Sequence, residues 1–199
     1  MSPRLTVLVA AAFLIGGAVA FGLYALNSVS GQQPQVVSGK ALIGGPFTLT
    51  DHNGKRVTEK DFAGGHTLVY FGYTYCPDIC PAELQVMSAA IDALGDKAKN
   101  VTPVFVTVDP ERDTVEQMKS YVENFHPRLV GLTGSSEDIK KAAKAYRVFY
   151  AKAKSDSATE YLMDHSSIVY LMSPNGEYLT HFAYGTAPDK MAEGIKKFL

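Results

Sequence analysis

The chain has 199 residues, and its 19 basic and 20 acidic side chains give a formal net charge of −1. This length suits one domain with short appendages, and the near-neutral charge, without a basic patch between aromatic residues, excludes a typical nucleic-acid-binding protein. No nucleic acid is therefore expected as a partner. The 2 cysteines are too few for a disulfide framework and indicate a single site instead.

An uncharged apolar run opens the chain; it begins at Leu5 and ends at Leu26. It is about as long as the roughly 20 residues that span a hydrocarbon core. With Arg4 on its N-terminal side, the run predicts a single-pass inner-membrane protein with its N-terminus inside and its domain in the periplasm or an equivalent extracytoplasmic space. A cleaved signal peptide is the alternative, because the Ala-Val-Ala sequence at residues 18–20 is typical of a cleavage site.

Composition divides the chain into three parts. Residues 1–26 are predicted as the membrane anchor, and residues 27–40, rich in Ser, Gly and Gln, as a flexible tether. Residues 41–199 are predicted as the folded domain. The membrane itself is thus expected as one partner of the chain.

Strand and helix patterns alternate through the folded domain. A hairpin is expected around Asn53-Gly54, a dipeptide typical of tight turns, followed by a buried strand at residues 66–73 and a helix at residues 81–94 with apolar side chains at helical spacing. Next come a strand at 101–108, a helix capped by Asp113 or Thr114 and ending near Phe125, and a strand at 129–133. A helix from Ser135, a strand at 147–150 and a polar loop at 152–160 follow. The chain closes with a hairpin of residues 168–172 and 177–182 and a helix at 188–198. This order predicts an α/β fold with a central mixed sheet flanked by helices.

Both cysteines, Cys76 and Cys80, lie where the predicted strand gives way to the helix. Helix N-termini carry unpaired N–H groups and the positive end of the macrodipole, which favour thiolate over thiol. If the first helical turn includes Cys76, the spacing of four places both sulfurs on one face, where they can share a metal ion or close a disulfide. A purely structural disulfide is less favoured, because so short a loop removes little unfolded-state entropy. The pair therefore predicts redox or metal chemistry.

A metal bound by two thiolates usually recruits a third ligand, and five histidines are available. His52, His66, His126 and His181 have no special sequence neighbourhood and are interpreted as structural. His165 ends a polar loop immediately before a buried strand, where loops deliver functional side chains. Two thiolates and an imidazole suit copper, since sulfur stabilises Cu(I) and imidazole keeps Cu(II) accessible. Zinc would fit the same donors with a fourth ligand.

Three segments together resemble the Sco/SenC family: the run with both cysteines at residues 71–81, the Val-Asp-Pro-Glu-Arg-Asp-Thr run at 108–114, and Asp-His-Ser-Ser at 164–167. A Cys-x3-Cys spacing alone would be weak, whereas three motifs in the family's order after an apolar start are specific. The resemblance implies a thioredoxin-like fold with an N-terminal β-hairpin. It also implies a membrane-tethered protein of copper delivery to cytochrome c oxidase.

The resemblance further implies that Cys76, Cys80 and His165 are the copper ligands. The leading hypothesis is therefore a copper metallochaperone, not an enzyme, that carries Cu(I) or Cu(II) to the binuclear copper site of cytochrome c oxidase subunit II. Subunit II and other copper chaperones are the expected partners.

Two other functions use the same cysteines. A thiol–disulfide reductase that keeps the acceptor's cysteines reduced needs only Cys76 and Cys80. The Cys-x3-Cys spacing, in place of the Cys-x2-Cys of thioredoxins, counts against it as the sole role. In a thioredoxin-like fold, the Asp164-His165 loop would also lie where such oxidoreductases carry a cis-proline, and no proline is present there. A peroxidase is a third reading, but the Pro-x3-Thr-x2-Cys pattern of peroxiredoxins is absent.

Overall fold

A seven-stranded mixed sheet organises the residues that the computed structural model describes, 42–154 and 161–199. The described strands are β1 (Thr48–Asp51), β2 (Arg56–Thr58), β3 (His66–Gly72), β4 (Val101–Thr107), β5 (Val130–Thr133), β6 (Tyr150–Lys152), β7 (Met163–His165), β8 (Ile168–Met172) and β9 (Tyr178–Ala183). Their order across the sheet is β2-β1-β5-β4-β3-β8-β9, and β6 and β7 form a separate pair. The described helices are α1 (Ile79–Asp92), α2 (Val115–Val122), α3 (Ser136–Ala145) and α4 (Pro188–Lys196), with short 3-10 helices at Glu59–Phe62 and Gly95–Asn100.

The centre of the sheet is parallel and its edges are antiparallel. Strand β4 pairs in parallel with both β3 and β5, whereas β8 pairs antiparallel with β3 and β9. Parallel neighbours need a crossover connection, and α1 and α2 supply the two crossovers. The predicted mixed sheet flanked by helices is confirmed.

Successive residues of β3 point to opposite faces of the sheet, because side chains alternate along a strand. Tyr70 stacks on Phe105 of β4 with ring centroids 6.1 Å apart, on the face where Cys80 of α1 packs against β3. On the other face, the ring of Phe71 lies 5.3 Å from that of Tyr146, which follows α3. Helices thus bury β3 from both sides, and its C-terminal end leads to the start of α1.

The predicted N-terminal hairpin is confirmed by antiparallel pairing of β1 with β2. The Asp51 side chain accepts hydrogen bonds from the N–H groups of Asn53 and Lys55, both at 2.9 Å. Gly54 adopts a φ of 84°, which favours glycine in the turn. Strand β1 also pairs with β5, so the hairpin extends one edge of the main sheet.

Two predicted boundaries are wrong. The strand predicted at residues 147–150 begins only at Tyr150, because Arg147 has a φ of 59° and ends α3 in a left-handed conformation. Helix α2 ends at Val122 rather than near Phe125. Its predicted start is confirmed, since the Thr114 hydroxyl accepts a hydrogen bond from the Gln117 N–H at 3.2 Å.

The predicted localisation as a single-pass inner-membrane protein is corrected by the structure. Within residues 42–154 and 161–199, no helix is long and apolar enough to cross a membrane. The longest described helix, α1, has 14 residues and measures about 21 Å, whereas a hydrocarbon core is about 30 Å thick. The run from Leu5 to Leu26, and with it the predicted anchor and tether, lies outside the described residues.

Candidate metal centre

Two sulfur atoms and one imidazole nitrogen converge in the structure. The donor atoms of Cys76, Cys80 and His165 all lie within 4.8 Å of one another. Sγ of Cys80 is 3.4 Å from Nε2 of His165. Donors around one ion, with bonds of about 2.3 Å to sulfur and about 2.0 Å to nitrogen, lie roughly 3.6–4.0 Å apart. The geometry therefore fits a single metal ion with small adjustments of the side chains.

The two cysteines meet across a turn and not along a helix face, which corrects the geometry considered from the sequence. Helix α1 begins at Ile79, with Asp78 at its N-cap position, so Cys76 precedes the helix. The N–H of Cys76 donates to the carbonyl of Tyr73 at 3.3 Å, which turns the chain after β3. The N–H of Cys80 then donates to Sγ of Cys76 at 3.3 Å. Cys76 thus lies just before the helix, where the N–H groups of the helix start can donate hydrogen bonds to its sulfur.

The two thiols have unequal surroundings. Both are free; Cys76 is half-buried and Cys80 is buried. The pKa of Cys76 is held far below its ordinary value, first because its sulfur accepts a hydrogen bond from the Cys80 thiol, and also because His165 and the backbone N–H groups of Cys80 and Asp78 face it. The same thiol–thiolate hydrogen bond, together with burial, raises the pKa of Cys80. The surroundings therefore favour loss of the Cys76 proton before that of Cys80.

His165 is the last residue of β7, whereas the sequence placed it at the end of a loop. The pairing of β7 with β6 sets His165 opposite Tyr150. Nδ1 of His165 lies 3.2 Å from the carbonyl oxygen of Ser166. Because a carbonyl can only accept, this contact needs a ring proton on Nδ1, and it turns the Nε2 edge of the ring toward the cysteines.

Aromatic rings enclose His165. Its ring lies edge-on to Tyr70 and Tyr73, with centroids 6.1 Å and 5.9 Å away. Both tyrosines are buried, whereas Tyr75 is exposed. Tyr73 therefore packs around the centre, whereas Tyr75 faces solvent. The role of Tyr70 was missed, although it lies two residues after Leu68 and two before Gly72 on one face of β3.

Gly72 makes room for the buried sulfur. A Cβ at this position would lie 2.9 Å from Sγ of Cys80 and 2.8 Å from the Phe105 ring. The missing side chain at the end of β3 therefore allows Cys80 to pack directly against the strand. The only sequence signal is a glycine inside an otherwise apolar strand.

A buried carboxylate holds the turn between β3 and Cys76. Asp113 accepts hydrogen bonds from the N–H of Thr74 at 3.0 Å and from its hydroxyl at 2.7 Å. Thr107, at the end of β4, donates its hydroxyl to the same carboxylate at 2.5 Å. Burial raises the pKa of Asp113. Sequence reasoning gave this residue only a possible capping role.

The other histidines lie outside the three-donor group. Nδ1 of His52 accepts a hydrogen bond from the N–H of Gly131 at 3.1 Å, which ties the hairpin to β5. Nδ1 of His126 accepts from the N–H of Arg128 at 3.1 Å. His181 contacts the Tyr178 hydroxyl at 2.5 Å on the exposed side of β9.

A cavity of about 400 Å³ opens beside Cys76 and His165. Phe149 and Leu162 line it and are 65% and 52% exposed. Cys80 lies behind it, covered by the strand and the helix. An incoming group would therefore meet Cys76 and His165 first.

Comparison with curated proteins gives related chains that are longer than this one. Protein SCO1 homolog 1, mitochondrial, of Arabidopsis thaliana is 50% identical over 161 residues, which cover 80% of this chain and 48% of that protein. Protein SCO1 homolog, mitochondrial, of Homo sapiens is 41% identical over 189 residues, which cover 92% of this chain and 63% of that protein. The chain thus spans about half to two thirds of the length of these relatives.

Solved structures share the fold. Arabidopsis thaliana ScoI with copper bound has a TM-score of 0.74 and 49% identity, covering 78% of this chain and 96% of that one. BsSco has a TM-score of 0.62 and 26% identity, covering 82% of this chain and 97% of that one. It is described as a member of the Sco family of cytochrome c oxidase assembly proteins, with a disulfide switch.

A family model adds the last observation and confirms the resemblance expected from the three motifs. The model described as SCO1/SenC matches residues 35–199, which include both cysteines and the histidine of the candidate centre. The chain therefore belongs to the SCO1/SenC family.

Proposed function

We propose that this protein is a copper metallochaperone, a binding protein and not an enzyme. It holds copper through Cys76, Cys80 and His165 and delivers it to the binuclear copper site of cytochrome c oxidase subunit II. The observation that carries the proposal is the convergence of the three donors within 4.8 Å. Copper bound to Arabidopsis thaliana ScoI supports the choice of metal. The description of BsSco as a cytochrome c oxidase assembly protein supports the destination.

The donor set suits a metal that changes valence. Thiolate sulfur stabilises Cu(I), and imidazole nitrogen keeps Cu(II) accessible. The Cys76 thiolate is present before the metal arrives, since hydrogen bonds lower its pKa. Cys80 releases its proton when its sulfur binds the metal, so copper uptake is coupled to the loss of one proton from the thiol pair.

The unequal burial of the donors suits transfer by ligand exchange. Cys76 and His165 line the open cavity, and Cys80 is 0% exposed behind it. A thiolate of the acceptor enters from the cavity and replaces Cys76 or His165 while Cys80 still holds the metal. The ion thus passes to the acceptor without release into water.

Copper stoichiometry of the reduced full-length chain tests the proposal. Under anaerobic conditions, the wild type is expected to bind one copper ion in either valence. His165→Ala is expected to lose Cu(II) and keep Cu(I), because two thiolates alone still suit Cu(I). Cys76→Ser is expected to lose both. His181→Ala is the matched control, since this histidine is exposed on β9 outside the three-donor group.

Two results would contradict the proposal. One is a wild type that binds no copper in either valence. The other is a His165→Ala variant that retains Cu(II) as well as the His181→Ala control does. The first result would remove the chaperone function, and the second would remove His165 from the ligand set.

The asymmetry of the thiols favours a second candidate, the thiol–disulfide reductase. A half-buried thiolate beside a buried, protonated thiol is the arrangement of an attacking and a resolving cysteine. The disulfide switch named for BsSco points the same way. A reductase needs only the two cysteines, so its activity is expected to survive His165→Ala. Reductase activity in a wild type that binds no copper would make it the main function.

A further inference from the structure

We infer that Arg112 is a positioning residue for His165, acting through Tyr161. The inference rests on the proposed function. It concerns the Asp-Pro-Glu-Arg-Asp-Thr run after β4, which contains none of the three proposed copper ligands. Nη1 of Arg112 donates to the carbonyl oxygen of Tyr161 at 2.9 Å. Its guanidinium carbon lies 3.7 Å from the centre of the Tyr161 ring. Arg112 thus holds both the main chain and the side chain of Tyr161.

Asp109 completes the anchor. Its carboxylate accepts a hydrogen bond from Nε of Arg112 at 2.5 Å and from the Tyr161 hydroxyl at 2.8 Å. The side chain of Asp109 is only 1% exposed. Its own N–H donates to the Thr107 hydroxyl at 2.9 Å, at the end of β4. Tyr161 is therefore fixed at its carbonyl, ring and hydroxyl to the central sheet.

Tyr161 lies four residues before His165, so fixing it sets where β7 begins. The N–H of Ala153 donates to the carbonyl of Leu162 at 2.8 Å, and the β6–β7 register follows from there. Side chains alternate along a strand, so a slip of one residue would turn His165 away from the cysteines. The two-stranded pair has no other sheet neighbour in the described residues. Contacts from outside, those of Arg112 with Tyr161 and of Glu111 with Lys152 at 2.7 Å, therefore tie it to the main body of the domain.

Arg112 also reaches the segment that carries Cys76. Its guanidinium carbon lies 4.8 Å from the centre of the Tyr75 ring and 5.8 Å from that of Tyr73. Nη2 of Arg112 is buried and has no hydrogen-bond partner among the described residues. Only a planar guanidinium donates to two acceptors and stacks on a ring at once. Arg112 therefore joins the segments that carry the thiolate and the imidazole.

The test compares Arg112→Lys with Arg128→Lys in the full-length chain. Arg128 is a matched control, because it also donates to main-chain carbonyls, those of Lys99 at 3.2 Å and Val101 at 2.6 Å, outside the three-donor group. In metal-free protein, we expect Arg112→Lys to speed amide hydrogen exchange at Ala153 and Ser166, which close the β6–β7 pair, at least tenfold. Arg128→Lys is expected to leave these rates unchanged.

A copper spectrum separates positioning from general structure. In Cu(II)-loaded protein, Arg112→Lys is expected to give the spectrum of His165→Ala, and added imidazole is expected to restore the wild-type spectrum in both. A general loss of structure would not be reversed by imidazole. Should Arg112→Lys fail to fold, Tyr161→Phe carries the test, since it removes the hydroxyl bond to Asp109 and keeps the ring. It is expected to speed the same exchange about threefold.

The inference would be overturned if a folded Arg112→Lys variant exchanged the amides of Ala153 and Ser166 at wild-type rates. The same result in Tyr161→Phe would overturn it if that variant replaces Arg112→Lys. An Arg112→Lys spectrum equal to that of the wild type would overturn it too. These failures differ from failure of the proposed function. The proposed function fails if the wild type binds no copper. In that case the hydrogen-exchange comparison, which uses metal-free protein, still decides whether Arg112 anchors the β6–β7 pair.

Discussion

Individual residues give the two cysteines different chemistry. Cys76 lies outside the helix and receives hydrogen bonds from the start of α1, whereas Cys80 lies within its first turn and is buried. Cys76 is therefore expected to lose its proton more readily than Cys80. The Cys-x3-Cys spacing alone does not predict this difference between the two thiols.

Alkylation of Cys76 measures the lowered pKa. In reduced, metal-free protein, the rate with iodoacetamide is expected to stay level from pH 9 down to about pH 6. A thiol near the ordinary value of 9.0 would instead slow about tenfold per pH unit. Cys80→Ala is expected to restore much of that pH dependence, because it removes the largest cause of the shift. A wild-type rate that falls steeply below pH 9 would contradict the geometry.

The same shift has a defined sign in stability. Because the pKa of Cys76 is lower in the folded state than in the unfolded chain, its contribution to stability is fully present above the unfolded value near 9.0. It declines as the pH falls below that value and is lost once the pH has passed through the lowered pKa. Acidification below pH 9 is therefore expected to weaken the contribution of Cys76 to the stability of the fold.

At the scale of elements, the contact between β3 and α1 sets the position of the buried sulfur. Gly72 ends the strand, and Cys80 packs against it without an intervening side chain. The same strand end continues into the turn that Asp113 holds through Thr74. One strand terminus thus places both cysteines.

Gly72→Ala tests this packing, with Gly131→Ala as the matched control. A Cβ at Gly131 would lie 2.5 Å from Cγ of Met118, so both changes overpack a contact between a strand and a helix. Each is expected to cost about 1–3 kcal/mol of unfolding free energy, measured by chemical denaturation. Only Gly72→Ala is expected to lower copper occupancy, because only there does the new methyl group displace Cys80. Equal copper occupancy in the two variants would show that this contact does not position the sulfur.

At the scale of the whole molecule, the candidate centre joins segments that are distant along the chain. Cys76 and Cys80 follow β3, and His165 ends β7 after two further strand–helix units. A metal bound by all three is a cross-link that exists only in the folded state. Copper binding and folding are therefore expected to be coupled.

Thermal unfolding of the full-length chain measures that coupling. Free copper at about 100 times Kd is expected to stabilise the reduced protein by about 2.7 kcal/mol, which raises Tm by roughly 5–10 °C. Copper is expected to leave the Tm of the oxidised protein unchanged, because a Cys76–Cys80 disulfide offers no pair of thiolates. An equal rise in both redox states would place copper at other residues.

Local patterns in the sequence determined most of the secondary structure. Asn53-Gly54 marked the first hairpin, Thr114 marked the start of α2, and apolar periodicity marked the strands and helices, because each signal lies within the element that it specifies. The two cysteines between a strand and a helix, together with the 108–114 and 164–167 motifs, also sufficed for the family.

Only the tertiary structure decided how these pieces form a centre. The approach of His165 to Cys80, the space left by Gly72, and the anchoring of Tyr161 by Arg112 each join residues on different elements. Such contacts depend on the sheet order and on strand register, which side-chain periodicity within one element does not specify. The sequence by itself therefore determined the donor chemistry and the family, and the folded sheet decided the geometry that brings the donors to one point.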